Sequence, residues 1–138
     1  MKTIKTLNLS VKGFTQFAKY YNDIVKQYGF NDADVPLRIA LIHSEISEAF
    51  EAFRNDKFAY RDLFLKHTEA ENKFHGKKIF NKSAFENNIK DSFEDEIADT
   101  LLRIFDLIGW LEIDIDFFIK NKMKYNETRG FKFGNKKF

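Results

Sequence analysis

A chain of 138 residues with one proline, at position 36, and only six glycines leaves long runs in which nothing interrupts a helix. A turn-rich β fold needs more of both residues. The runs carry apolar residues at helical spacing, as in Phe14, Phe17, Ala18, Tyr21, Ile24 and Val25, so the expected class is all-α. Hydrophobic residues make up 43% of the chain and phenylalanine alone contributes 17 positions, which suits a globular core more than a disordered segment. Residues 1–138 read as a single helical domain.

Four helical segments stand out. The first spans 10–28, with Ser10 as its cap, and ends at Gly29 and the polar turn Asn31-Asp32-Ala33-Asp34. The second opens around Pro36, where the missing N–H costs little, and runs to about residue 54. Ser92, with Asp95 three residues later, resembles a capping box that opens a third helix reaching about residue 111. Asp114 caps a fourth, over 115–128. Between the second and third, residues 55–91 have weaker periodicity. A short helix over 60–72 is expected there, followed by an irregular stretch, so this segment reads as an insertion with its own packing or as a lid. Residues 130–138 form a basic tail without periodicity, carrying Lys132, Lys136 and Lys137.

Charge excludes some classes of partner. With 23 basic and 21 acidic residues the net charge is +2, which makes no general case for nucleic acid or an anionic membrane. The absence of cysteine rules out disulfides, zinc–thiolate sites and thiol nucleophiles. Residues 1–9 lack the apolar core of a signal peptide. No run approaches the roughly 18 apolar residues of a membrane span. A cytoplasmic protein is the expectation.

Two acidic pairs carry the chemistry. On the second helix, Glu45 projects inside an apolar arc formed by Leu41, Ala52, Ala49, Ile42, Phe53, Ile46, Ile39 and Phe50, and Glu48 lies at its edge. The third helix is apolar over more than half its circumference. Its remaining strip holds Glu96, Asp99, Arg103, Asp106 and Trp110, and is expected to face an internal cleft. Bringing the pairs together gathers four negative charges. At about 5 Å and an effective dielectric near 20, each close pair repels by about 3 kcal/mol. Arg103 or Arg38 offsets part of this, and a hard divalent cation offsets the rest with oxygen ligands alone. Glu-x-x-His, the pattern of di-iron bundles, does not occur; an all-oxygen set favours magnesium, or manganese, and phosphate chemistry. On the fourth helix Lys122, Asn126 and Arg129 share one face, either as a solvated basic end favoured by the helix dipole or as a clamp for phosphate oxygens.

These residues match a known pattern. Ala40-Leu41-Ile42-His43-Ser44-Glu45-Ile46-Ser47-Glu48-Ala49 resembles the first metal motif of the MazG-like all-α NTP pyrophosphohydrolases. Phe93-Glu94-Asp95-Glu96-Ile97-Ala98-Asp99 resembles their second, and the run from Lys122 to Arg129 is similar to their triphosphate-binding KxxxNxxR element. Each motif is short, and the ordered set of three carries the specificity. The resemblance implies a four-helix-bundle-like all-α NTP pyrophosphatase fold, with the irregular 55–91 insertion between the two metal-binding helices. It also implies hydrolysis of a nucleoside triphosphate to monophosphate and pyrophosphate, in nucleotide-pool cleaning. Glu45, Glu48, Glu96 and Asp99 would hold Mg2+. Glu45 and Glu48 would be catalytic, a spare oxygen of Glu48 receiving the proton. Lys122, Asn126 and Arg129 would bind the triphosphate together with Lys132 and Lys136, and Arg103 and Asp106 would support the metal ligands. A homodimer or homotetramer is implied as well. Two departures stand against the pattern. Ser44 replaces the leading Glu of the family's EExxE, and Gly130, Phe131 and Phe133 stand where the C-terminal ending usually has Pro, Tyr and His. Two other readings remain open: a non-catalytic helical bundle that binds a nucleotide or protein through the same acidic cleft, and a structural bundle with solvated or Arg-paired acidic strips.

Overall fold

The computed structural model describes residues 13–30 and 34–129, and among them every regular element is a helix. In chain order these are α1 (Phe14–Gln27), α2 (Val35–Arg54), α3 (Arg61–His75), α4 (Lys82–Asn88), α5 (Phe93–Trp110) and α6 (Ile115–Thr128). The chain divides into two compact units, one containing 34–103 and the other 1–33 with 104–138, so the division falls within α5. No helix among the described residues is long and apolar enough to cross a membrane. Ser10 and the basic tail with Lys132 and Lys136 lie outside the described residues.

In the unit formed by 1–33 and 104–138, α1 begins at Phe14, the first residue of its apolar spacing and later than the expected Ser10 cap implied. Its N-cap is Gly13 at φ 97, a backbone conformation that L side chains rarely adopt. The Asp116 carboxylate replaces a local cap, accepting from the Phe14 and Thr15 N–H groups at 3.0 Å each. Thr15 Oγ1 in turn accepts from the Asp116 N–H at 3.0 Å, and Asp114 caps α6 by accepting from the Phe117 N–H. The first turns of α1 and α6 thus satisfy each other's open donors. The Asp116 carboxyl is held below the ordinary carboxylate range by the Thr15 and Phe14 N–H bonds. Ala18 is fully buried, and α1 passes so near Gly109 of α5 that a Cβ there would lie 2.7 Å from Asn22 Cβ. Phe17 meets Phe105 edge-on at 4.8 Å and stacks on Tyr21 at 6.3 Å, which makes it a packing residue.

In the 34–103 unit, Asp34 caps α2 by accepting from the Leu37 N–H at 2.9 Å, with Pro36 in the first turn. The segment 55–91 is a correction to the irregular insertion expected from the sequence. It is largely helical, with α3 extending to His75 and α4 packed against it. Phe64, Phe80 and Phe85 meet between them. Asn72 accepts from the Ile79 N–H at 2.7 Å, and Asn81 caps α4 by accepting from the Ala84 N–H at 2.8 Å. Gly76, at φ 63, ends α3 in the left-handed conformation.

The same segment fixes the start of α5 against the end of α2. The Phe93 N–H donates to Lys57 O and the Tyr60 N–H to Asn88 O, both at 2.8 Å. The Ala59 N–H donates to Glu94 Oε2 at 2.8 Å. Phe53, Phe58 and Phe93 form an edge-on cluster with centroids 5.6 to 6.0 Å apart. The capping box at Ser92 forms in modified form. Ser92 Oγ accepts from the Asp95 N–H at 3.3 Å, while Asp95 reaches back to the Asp91 N–H at 2.9 Å.

The burial of α2 and α5 also differs from the expected pattern. The buried positions of α2 are Arg38, Glu45, Ala49 and Ala52, whereas Ile39, Ile46, Phe50 and Phe53 of its apolar arc are exposed. On α5, Glu96 and Thr100 are buried and Ile97 and Leu101 are exposed. Around the acidic pairs the buried positions are small or acidic, and several large apolar residues of the same helices face out.

Candidate metal centre

This arrangement of α2 and α5 brings the acidic pairs together. Glu45 and Glu48 lie one turn apart on α2, and Glu96 and Asp99 one turn apart on α5, so each pair projects from one side of its helix. Small neighbours, Ala49 and Ala52 on α2 and Thr100 on α5, are buried beside them. Glu45, Glu48 and Glu96 each place one carboxylate oxygen within 4.8 Å of the others. Glu45 and Glu96 are buried, while Glu48 and Asp99 are exposed.

The electrostatics match a crowded anionic site. Burial pushes the Glu96 carboxyl above the usual range, and the charges of Glu48, Asp99, Glu45 and Asp95 push it further. Asp99, exposed as a residue but with a partly covered carboxyl, is raised as well, by this desolvation first and then by Asp95, Glu45 and Glu48, with Arg103 opposing. Arg103 brings a cation into contact with the cluster, its Nε donating to Glu45 Oε1 at 3.0 Å. Ser44 Oγ donates to Glu48 Oε1 at 3.1 Å, which leaves the other Glu48 oxygen for different work.

The donor set fits a hard divalent cation. Ligand oxygens at about 2.1 Å from magnesium stand roughly 3 to 4 Å apart in an octahedron, slightly closer than the 4.8 Å within which these three oxygens lie. Asp99 stands outside the three-oxygen group and joins it only through its electrostatic influence on the site.

Asp106, Lys122, Asn126 and Arg129 belong to the other compact unit. Asp106 accepts from Asn22 Nδ2 at 2.7 Å in the unit formed by the chain ends. Lys122, Asn126 and Arg129 lie on and just beyond α6 in that same unit. Lys122 Nζ and the Arg129 guanidinium lie 5.1 and 5.8 Å from the centre of the Tyr125 ring, a cation–π arrangement that sequence spacing did not suggest. The Ser44–Glu48 bond was legible only as spacing, since a hydroxyl four residues before a carboxylate shares its helix face. Comparison with protein-family models, curated proteins and solved structures finds no match to this chain. The chemistry of the centre therefore rests on its own residues.

Proposed function

We propose that the chain is a metal-dependent nucleoside triphosphate pyrophosphohydrolase, acting on a nucleotide pool. The observation that carries this reading is the convergence of Glu45, Glu48 and Glu96 oxygens from two helices. Its further support is the ordered resemblance of the three motifs to MazG-like enzymes. Glu45, Glu48 and Glu96 would hold Mg2+, or Mn2+ in its place, with Asp99, the fourth ligand the motif resemblance implies, adding its negative charge beside them. When bound, such an ion polarises a phosphoryl oxygen and lowers the pKa of water. Glu48 accepts the water's proton at the oxygen not engaged by Ser44, the exposed position suiting exchange with solvent. Lys122, Asn126 and Arg129 bind the triphosphate oxygens, as the motif resemblance assigns them. Ile39, Ile46, Phe50 and Phe53 on α2, with Ile97 and Leu101 on α5, form an exposed apolar set. Covering it in a homodimer or homotetramer accounts for its exposure.

The test is pyrophosphate release from a panel of ribo- and deoxynucleoside triphosphates, with magnesium and with EDTA. The expected result is monophosphate and pyrophosphate from at least one of them, in magnesium only. In the Lys122→Ala variant, KM for that substrate is expected to rise roughly tenfold with magnesium binding unchanged. Loss of both together would remove Lys122 from the phosphate-binding role. No release from any triphosphate, by folded protein that still binds magnesium, would favour the non-catalytic binding bundle.

A further inference from the structure

The ion pair inside the acidic cluster is unequal. Arg103 Nε contacts Glu45 Oε1 at 3.0 Å, yet the Arg103 side chain is 44% exposed and that of Glu45 only 12%. The carboxylate is therefore fixed and must be neutralised where it stands. The guanidinium meets Glu45 through Nε, and at this exposure most of its remaining donors can be served by water. Arg103 sits one turn beyond Asp99 and two beyond Glu96 on the same side of α5, so its charge lies on the acidic stripe itself. An exposed arginine can leave such a pair at small cost, because solvent takes over its hydrogen bonds. Leaving a buried carboxylate beside Glu48 and Glu96 without a cation is disfavoured.

We propose that Arg103 is an exchangeable stand-in for the divalent ion: it neutralises Glu45 in the metal-free protein and is displaced when a divalent cation binds Glu45, Glu48 and Glu96. The inference rests on the metal-binding reading above and adds a competition that the reading does not require. A +2 ion in the cluster meets Glu45 more effectively than one guanidinium and repels it. Metal binding is weakened by the work of breaking the Arg103–Glu45 pair, and the arginine's contribution to folding disappears once the metal is in place.

The competition fixes the sign of two measurements, made on the full chain with Mn2+ as the probe. Calorimetric titration of the metal-free protein should show Arg103→Gln binding Mn2+ roughly two- to fivefold more tightly than the parent, the range set by an exposed ion pair. In EDTA the same variant should melt roughly 2 to 4 °C lower, and in saturating Mn2+ the two proteins should melt together. Arg103→Lys retains the charge and should restore parental behaviour in both. Weaker Mn2+ binding by Arg103→Gln would overturn the proposal, assigning Arg103 to holding Glu45 in place for the metal. Equal loss of Tm with and without Mn2+ would overturn it as well, leaving a purely structural pair. If the parent protein neither binds Mn2+ nor melts differently in its presence, the metal-binding reading itself fails, which the first two outcomes leave intact.

Discussion

Replacing Glu96 with Gln is expected to stabilise the metal-free protein at neutral pH and to abolish its response to magnesium. Glu96 is 6% exposed and its carboxyl is raised by burial, then by Glu48, Asp99, Glu45 and Asp95. A raised value means that the folded state binds this proton more tightly than the unfolded chain does. The contribution of Glu96 to stability is therefore full below its ordinary value of 4.5, falls as pH rises through the folded value, and stays lost at neutrality. Glutamine keeps the shape and omits the charge. At pH 7.5 in EDTA the variant should gain about 1 kcal/mol or more, and near pH 4 the difference from the parent should vanish. Saturating magnesium should reverse the order. A ligand at a hundred times its Kd stabilises the parent by about 2.7 kcal/mol, and the variant has lost one of the three anionic ligands of the site. Turnover of the best triphosphate should fall at least roughly a hundredfold. Paired melts across pH, in EDTA and in magnesium, check this directly. A variant less stable than the parent at pH 7.5 in EDTA would show that Glu96 is favourably paired, and the repulsion account would fail.

That reversal depends on a site whose parts were unevenly legible in the sequence. The acidic pairs could be read because i, i+3 spacing places two carboxylates together on any helix, and α2 and α5 are unbroken by glycine or proline over those turns. The local caps at Ser92 and Asp114 were legible for the same reason, since a cap needs only the three residues that follow it. Features that depend on distant partners were not. The true start of α1 is set by Asp116, more than a hundred residues away in the chain. The helix expected over 60–72 appears as α3, but its run to His75 and the existence of α4 were not legible, since no described residue of α3 is buried and contacts such as Phe64 with Phe85 join the two helices. The apolar arcs of α2 and α5 invited the inference that large residues face inward. The short side chains of Ala49, Ala52 and Thr100 instead leave room beside the carboxylates, and Ile46, Phe50 and Leu101 point outward. Periodicity locates an apolar face and does not say whether the same chain covers it.

Gly109→Ala should destabilise the protein strongly for the addition of one methyl group, although propensity alone argues the reverse. Glycine inside a helix costs about 1 kcal/mol relative to alanine, so Gly109 reads as a weak point near the end of α5. The structure gives a reason for it. An added Cβ would meet the Ala18 carbonyl oxygen, and would lie 2.7 Å from Asn22 Cβ and 2.8 Å from the Ala18 carbonyl carbon. These contacts are backbone and Cβ atoms, which cannot rotate away, so α1 as a whole must move. Ala18 has no exposed surface and Asn22 has 1%, so the shift would loosen a packed contact and the Asn22–Asp106 bond at 2.7 Å. Overpacking of this kind costs about 1 to 3 kcal/mol and sometimes more. Because both neighbours of the methyl belong to the rigid part of a helix, the upper end is expected, and the net loss after the propensity gain is about 2 kcal/mol. For a chain of this size that is a fall in Tm of roughly 6 to 10 °C. Gly29→Ala is the matching control. It stands at φ 87 with nothing within 4 Å of the added methyl, so its cost is backbone strain alone, about 1 kcal/mol. Thermal or urea unfolding of the two variants separates close approach from conformational strain. If Gly109→Ala instead gains stability, as an open helix position would, α1 does not pack on α5 at Ala18, and the two chain ends meet in some other way.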